Sequence, residues 1–491
     1  MQDVTVCIQN HLLSVTPACE RLFKDSLAYW EKSYNMAQGF QIKKTRLYFV
    51  DNDVLYASFG LYDRVVACLT SAGCNVHGRD MDVRPDCLAE PDYKGVQRFM
   101  HSRGDVYRVG QMEALATIIG SRTGVIVAPP GWGKSYLTRL ISKVYPRAKI
   151  VLTAPSVALV GSAYDELLKY TPDVGRVGGG CKDPDHSIVV STAHSLKTAV
   201  SLGCDILLYD ECHICPAPKR AADLAEVISP YKQFGFTATP VGRADGAELV
   251  MESFFGPIRC RVSYSEAENA GAVVPVKVNV CSLPRGKTAK CNDPTGMQVL
   301  ASKKRAAYWR NTSRNKLLVQ EARRLEAQLI AASGATPQVL YLTETLEHAA
   351  HLGKRLPGVP LIYAGVTPDR LAGLIQNGLL PEGHFPPSSK QLDEYRRDFE
   401  SGKLKKAIAT KVWGTGVDFT HLRILVYASG EPGKIPVTQW GGRVTRTEVG
   451  KACGYIIDCQ DTFSSWTTER ARARMRVYKS HKWAVSLVNT K

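Results

Sequence analysis

The run Ala128-Pro-Pro-Gly-Trp-Gly-Lys-Ser135 follows a short apolar stretch and precedes a helical pattern. In that setting Gly131 and Gly133 let backbone N–H groups approach phosphate oxygens. Lys134 suits the β- and γ-phosphates, and the Ser135 hydroxyl suits a magnesium ion at a helix N-terminus, whose dipole also favours anions. Pro130 and Trp132 complete the cradle. The pattern G-x-x-x-x-G-K-[ST] asks for glycine where Ala128 stands, a departure that still leaves an unhindered loop.

Asp210-Glu-Cys-His213 closes a second apolar run, 206–209. Phosphoryl transfer uses two acids in different ways. Asp210 can hold magnesium through water while Glu211 orients and deprotonates the attacking water. Alone, such a pair is an ordinary solvated surface feature. Downstream of a phosphate loop, at a strand end, it reads as catalytic. Cys212 and Cys215 read as core packing, and His213 as either a coupling residue or a satisfied histidine.

Elements that would position these groups are legible from about residue 120. Strands are predicted at 124–128, 149–152, 187–190, 205–209 and 233–236, each ending at a polar or glycine-bearing turn. Such alternation with helical stretches describes a parallel sheet covered by helices, with its ligand crevice at the carboxyl ends of the strands. A second set, 338–342, 361–363, 406–409, 424–427 and 454–457, predicts another α/β lobe, without sequence repetition between the two. Before residue 100, apolar alternation at 45–48 and 54–58 around Asp51-Asn-Asp53 predicts a β-hairpin, followed by a helix over 62–72. The expected division is an N-terminal α+β accessory domain (1–100), a nucleotide-binding lobe (101–272), a second lobe (273–460) and a basic C-terminal tail (461–491).

The 491 residues exceed one ordinary core, and 44% hydrophobic with 22% charged residues is a globular mixture. Lys plus Arg number 63 against 46 acids, and the resulting charge of +17 favours a polyanionic partner, most commonly nucleic acid. A basic enzyme with no such partner has the same composition, so the motifs decide. The N-terminus carries no secretory pattern and no run approaches membrane-spanning length, so a cytoplasmic protein without a membrane partner is expected. The 14 scattered cysteines, with one C-x-x-C pair, read as reduced thiols.

The phosphate loop, DECH, Thr237-Ala-Thr-Pro240 and Gln439-Trp-Gly-Gly-Arg-Val-Thr-Arg446, in that order, resemble the motifs of superfamily 2 helicases and translocases. The resemblance covers roughly residues 105–460. It implies a fold of two tandem RecA-like parallel-sheet lobes with a small N-terminal α+β domain, and ATP with magnesium as the nucleotide and metal. It implies that Arg443 and Arg446 reach across from the second lobe to the γ-phosphate, and that His213, Thr237, Thr239 and Gln439 couple hydrolysis to movement. Tyr107-Arg108-Val-Gly-Gln111 is similar to the family's adenine-recognising segment, with Gln111 as the base reader. Gly416 and Asp418 resemble its nucleotide-sensing motif. Pro155, Gly179, Ser191, Thr192, His194, Thr343 and Thr410 fall in segments similar to its strand-contacting motifs.

Within the superfamily, TATP and the spacing from Gly442 to Asp458 look most like branch-migrating DNA helicases of the phage UvsW type, with RecG and XPB more distant. That implies 3′ to 5′ movement on forked or branched DNA in replication, recombination or repair. An RNA helicase of the DExH class and a scaffold whose motor has become inactive are the alternatives. Two basic clusters, Lys303-Lys304-Arg305 with Arg310, Arg314 and Lys316, and Arg470, Arg472, Arg474, Arg476, Lys479 and Lys482, could track phosphates or be solvated faces. The alternation of arginine with Ala471, Ala473 and Met475 is read as helix. Trp132, Trp413 and Trp440 are read as packing residues at the lobe interface rather than base-stacking platforms.

Overall fold

The computed structural model describes residues 2–10, 12–35, 39–216, 224, 230–240, 248–283, 297–413 and 419–488. The chain divides into two compact units, Met1–Ser263 and Tyr264–Lys491. The break between units falls at 263/264, and residues 1–100 lie within the first unit. No helix among the described residues is long and apolar enough to cross a membrane.

The first unit opens with β1 (Asp3–Gln9), β2 (Leu12–Thr16), β3 (Ala28–Asn35), β4 (Gly39–Arg46), β5 (Tyr48–Asp51), β6 (Val54–Ser58) and β7 (Asn75–Asp80). Five of them form a sheet in the order β5-β6-β2-β1-β7, while β3 and β4 pair as a separate hairpin. Alternation along β1 and β2 buries Val4, Val6, Ile8, Leu13 and Val15 against Leu61, Val65 and Leu69, the last two on the helix Tyr62–Ser71. The expected hairpin forms between β5 and β6, where Asn52 and Asp53 turn the chain at φ 47° and 58°. Its first strand starts later than expected, because Thr45 pairs with Tyr29 in the β3–β4 ribbon.

This small sheet is tied to the rest of the unit by charge pairs. Arg64 donates twice to Glu252 at 2.9 and 2.6 Å, and Arg259 reaches Asp63 at 2.7 Å. Arg122 bonds both Asp80 oxygens at 2.9 Å and Asp82 at 2.7 Å, with its guanidinium over the rings of Phe59 and Tyr231. Leu249, on the helix Glu248–Phe255, packs into the small sheet's own core.

The large sheet of this unit contains β8 (Thr123–Val127), β9 (Ile150–Ala154), β10 (Val174–Gly178), β11 (Cys181–Lys182), β12 (Ile188–Thr192), β13 (Ile206–Asp210), β14 (Lys232–Thr237) and β15 (Ile258–Arg261). Their order is β11-β10-β12-β9-β13-β14-β8-β15, parallel except for β11. The middle strands are buried along their length and rich in Val, Ile and Leu, the composition of a parallel sheet covered on both faces. Lys232 opens β14 with its amine buried, donating to the carbonyls of Ile118 and Ile119 at 2.9 Å and Ser121 at 2.7 Å. It thereby caps the end of the helix Gln111–Gly120. Burial, with the nearby Arg84 and Arg122, pulls this lysine down to about 8. Lys232→Met would strand those carbonyls and is expected to lower the unfolding free energy by about 2 kcal/mol, read from the urea midpoint.

The second unit is a seven-stranded, all-parallel sheet of β16 (Val276–Ser282), β17 (Gln338–Leu342), β18 (Leu361–Ile362), β19 (Lys406–Ala409), β20 (Leu422–Tyr427), β21 (Gly454–Gln460) and β22 (Ala484–Val488). Its order is β18-β19-β17-β20-β21-β16-β22. The expected C-terminal tail is part of this unit: residues 465–480 form the helix Ser465–Ser480, and β22 adds to the sheet beside β16.

Neither basic cluster is a free set of cations. Lys304 pairs with Glu344, and Arg305 and Arg310 both bond the buried Glu347 at 3.1 and 2.7 Å. Arg314 and Arg474 have no exposed surface. Arg474 donates to Asp458 at 2.8 and 3.1 Å, to Asp461 at 2.9 Å and to the carbonyls of Gly430 and Cys459 at 3.0 Å. Arg314 bonds Asp461 at 2.8 Å and the Ala428 carbonyl at 2.6 Å, and the Tyr478 hydroxyl donates to Asp458 at 3.0 Å. Helical periodicity explains the difference within the second cluster: Ala471, Arg474 and Tyr478 face inward while Arg472, Arg476 and Lys479 face out.

Candidate active site

The phosphate loop leaves β8 and enters the helix Lys134–Val144. Gly131 and Gly133 sit at φ 88° and 106°, conformations that side-chain-bearing residues rarely adopt. A Cβ on Gly133 would also lie 2.6 Å from Gln111 Nε2. Ser135 is exposed at the start of the helix, with Pro130 half-buried before the turn.

β13 delivers Asp210 and Glu211 to the same carboxyl edge. Lys134 Nζ lies 3.2 Å from Asp210 Oδ1 and 3.7 Å from Glu211 Oε1. Burial raises the Asp210 carboxyl above its ordinary value, with the Lys134 charge opposing that shift. Glu211 adopts left-handed backbone at φ 52°, a local strain placed at the acid expected to act on water. His213, nearly fully buried, has Nδ1 3.2 Å from Glu211 Oε2 and 3.0 Å from Thr237 Oγ1. Thr237 Oγ1 accepts in turn from the Thr239 N–H at 3.0 Å. The Nδ1 contacts of His213 thus fall on the acid and on the TATP segment. Cys212 and Cys215 are buried in the core, as read from sequence.

Arg108 and Gln111 also reach the loop. Arg108 Nη1 donates to the Gly131 carbonyl at 2.8 Å, Gln111 Nε2 to the Trp132 carbonyl at 3.2 Å, and Trp132 Nε1 to the Val109 carbonyl at 2.6 Å. Trp132 is a fully buried packing residue of this unit. Its indole link to Val109, 23 residues away in sequence, left no signal in composition or spacing.

Among the expected strand-contacting residues, Pro155 is half-buried, and Gly179 and His194 are exposed. Ser191 and Thr343 are fully buried, in or beside sheet strands, and Thr343 Oγ1 donates to the Ala409 carbonyl at 3.2 Å. Thr192 donates to Ser195 at 3.0 Å and Thr410 to the Ile362 carbonyl at 3.5 Å, each mostly buried.

In the second unit the helix Lys434–Gly441 carries Gln439 and Trp440 and leads to Arg443 and Arg446. The Arg443 guanidinium lies 4.6 Å from the Trp440 ring centre and 5.2 Å from that of Phe419, while Arg446 is half-buried. Trp413 packs against Phe399 and Phe419. Gly416 and Asp418 lie outside the described residues.

Residues 106–242, which hold the phosphate loop, DECH and TATP, match the family described as type III restriction enzyme, res subunit. The DNA 3′-5′ translocase XPB2 of Sulfurisphaera tokodaii is 25% identical over 348 residues, covering 68% of this chain and 77% of its own. A putative helicase of a Sulfolobus islandicus filamentous virus is 24% identical over 373 residues, covering 70% of this chain; the chain spans 60% of that relative's length. The structure of Saccharomyces cerevisiae Dbp5 bound to RNA and ADP BeF3 aligns with 82% of this chain and 95% of its own, with a TM-score of 0.53 at 12% identity, a likeness of fold. With its ordered motifs and two parallel-sheet units, the chain is similar to the XPB translocases and to the viral helicase, and its first unit carries the matched restriction-enzyme family segment.

Proposed function

We propose that the chain hydrolyses ATP with magnesium and couples hydrolysis to 3′ to 5′ movement along DNA, with forked or branched DNA as substrate. The observation that carries this reading is the unbroken contact path from Lys134 through Asp210 and Glu211 to His213 and Thr237. In it a phosphate-binding cation, a metal-holding acid, a water-activating acid and a coupling segment touch in sequence. Lys134 holds the β- and γ-phosphates, and Glu211 takes the proton of the attacking water. The Glu211–His213–Thr237 contacts carry the state of that acid to the TATP segment. Arg443 and Arg446 supply forked, permanently charged donors for the γ-phosphate.

The Ser135 hydroxyl and Asp210 carboxylate are hard oxygen donors, a set that fits magnesium. When bound there, the ion would neutralise phosphate charge. DNA rather than RNA as the track is supported by the relatives named as DNA translocases and helicases, while the chain's +17 charge suits either polyanion. Turnover is expected to rise at least about tenfold on adding DNA, most with forked or four-way junctions. Equal rates with and without any nucleic acid would sink the motor reading, and stronger stimulation by matched RNA would replace the track.

A further inference from the structure

The connection between the helices Pro368–Gln376 and Ser389–Glu400 of the second unit carries His384-Phe385-Pro386-Pro387. Phe385 is 81% exposed. Trp30 and Phe49 are exposed aromatics too, but Lys44 lies over the ring of the first and Tyr56 stacks on the second. The chain around Phe385 is nonetheless held. Leu380 is buried and Leu379 half-buried in the small core that contains Tyr363 and Leu374. The His384 N–H donates to the Pro381 carbonyl at 3.2 Å, and its Nε2 lies 2.8 Å from the Tyr363 hydroxyl, with the two rings stacked. Pro386 and Pro387 then fix φ, and Ser388 opens the next helix with a capping box. A segment ordered on both sides thus leaves its phenyl ring in water and forgoes the energy of burying it.

The anchor has a definite place in the sheet. Tyr363 directly follows β18, and the Thr410 N–H donates to the Ile362 carbonyl at 3.0 Å, so His384 is held at the carboxyl ends of β18 and β19. Ligands of open α/β sheets gather at that edge, where the first unit also places its phosphate loop and DECH. Charge along 366–391 is balanced, Asp369 and Glu382 against Arg370 and Lys390. Such a surface offers a phosphate little. It suits the face of a base, because stacking on an aromatic ring needs no net charge and tolerates any sequence.

We propose that Phe385 is a base-stacking residue, a platform on the second unit for the bases of a single strand; this rests on the movement along nucleic acid proposed above. The experiment measures, by fluorescence anisotropy, binding of the chain to oligothymidylate and to an abasic strand of equal length, over a range of salt. Phe385→Ala is expected to weaken oligothymidylate binding about tenfold while leaving the abasic strand and the salt slope unchanged, because a ring contact is lost and no phosphate contact is. Phe385→Trp is expected to keep wild-type affinity. Phe385→Leu, which retains apolar bulk without a ring, is expected to behave as the alanine variant does. Equal losses on both strands, or full affinity in the leucine variant, would overturn the proposal. Wild-type affinity in the alanine variant would overturn it as well and assign the ring to a protein partner. Wild-type protein that binds neither strand and shows no nucleic-acid stimulation of hydrolysis would instead overturn the motor reading on which the proposal rests.

Discussion

Replacing Lys134 with alanine is expected to cut triphosphate hydrolysis by about a thousandfold or more, on the order of 4 kcal/mol of transition-state stabilisation, in protein that still folds. Lys134 lies within 4 Å of both acids, at 3.2 Å from Asp210 and 3.7 Å from Glu211. Its removal takes away positive charge where phosphate charge develops and leaves the two carboxylates facing each other, which drives Asp210 further toward its protonated form. The side chain lies at a loop-to-helix junction and is only 15% exposed, so its loss bears on stability as well as on chemistry. Steady-state hydrolysis beside a thermal melt separates the two effects. A folded variant that keeps more than about a tenth of the wild-type rate would remove Lys134 from the chemistry.

Arg474→Ala is expected to destabilise the second unit by about 3–5 kcal/mol, because it takes the guanidinium partner from the buried Asp458 carboxylate, while Asp461 keeps Arg314. Asp458 and Asp461 would lose their shared partner, and the carbonyls of Gly430 and Cys459 a donor. Arg472, two positions earlier on the same helix, is exposed, and its alanine variant is expected to stay within about 0.5 kcal/mol. Equal urea midpoints for the two variants would refute the assignment of the network as a strut. Because Arg314 and Arg474 hold the carbonyls of Ala428 and Gly430, the strut also fixes the turn that leads into the helix bearing Gln439.

All ten strands expected after residue 120 are present within about two residues, since strands buried on both faces read as continuous apolar runs. β22 escaped notice because it is an edge strand with much of its surface exposed, and β10 because glycines at 175 and 178 interrupt its apolar run. The meeting of Lys134, Asp210 and Glu211 at one sheet edge was legible because phosphoryl transfer restricts which residues can stand at strand ends. Roles fixed by tertiary neighbours were not. Arg474 has a side chain suited to a phosphate, and burial among internal acceptors occupies it instead. Ser191 and Thr343 show the same limit, as small hydroxyls whose exposure the sequence does not encode.

The ties of Arg64, Arg122 and Arg259 to the N-terminal sheet, with Leu249 in that sheet's core, have a thermodynamic consequence. A boundary with its own shared core and half-buried ion pairs has no cheap way to open, so the accessory sheet and the nucleotide-binding sheet melt as one cooperative body. Stability lost in the first 80 residues is then lost to the phosphate loop as well. A substitution far from the chemistry, in the small sheet, would lower the amount of active protein without altering a single catalytic distance.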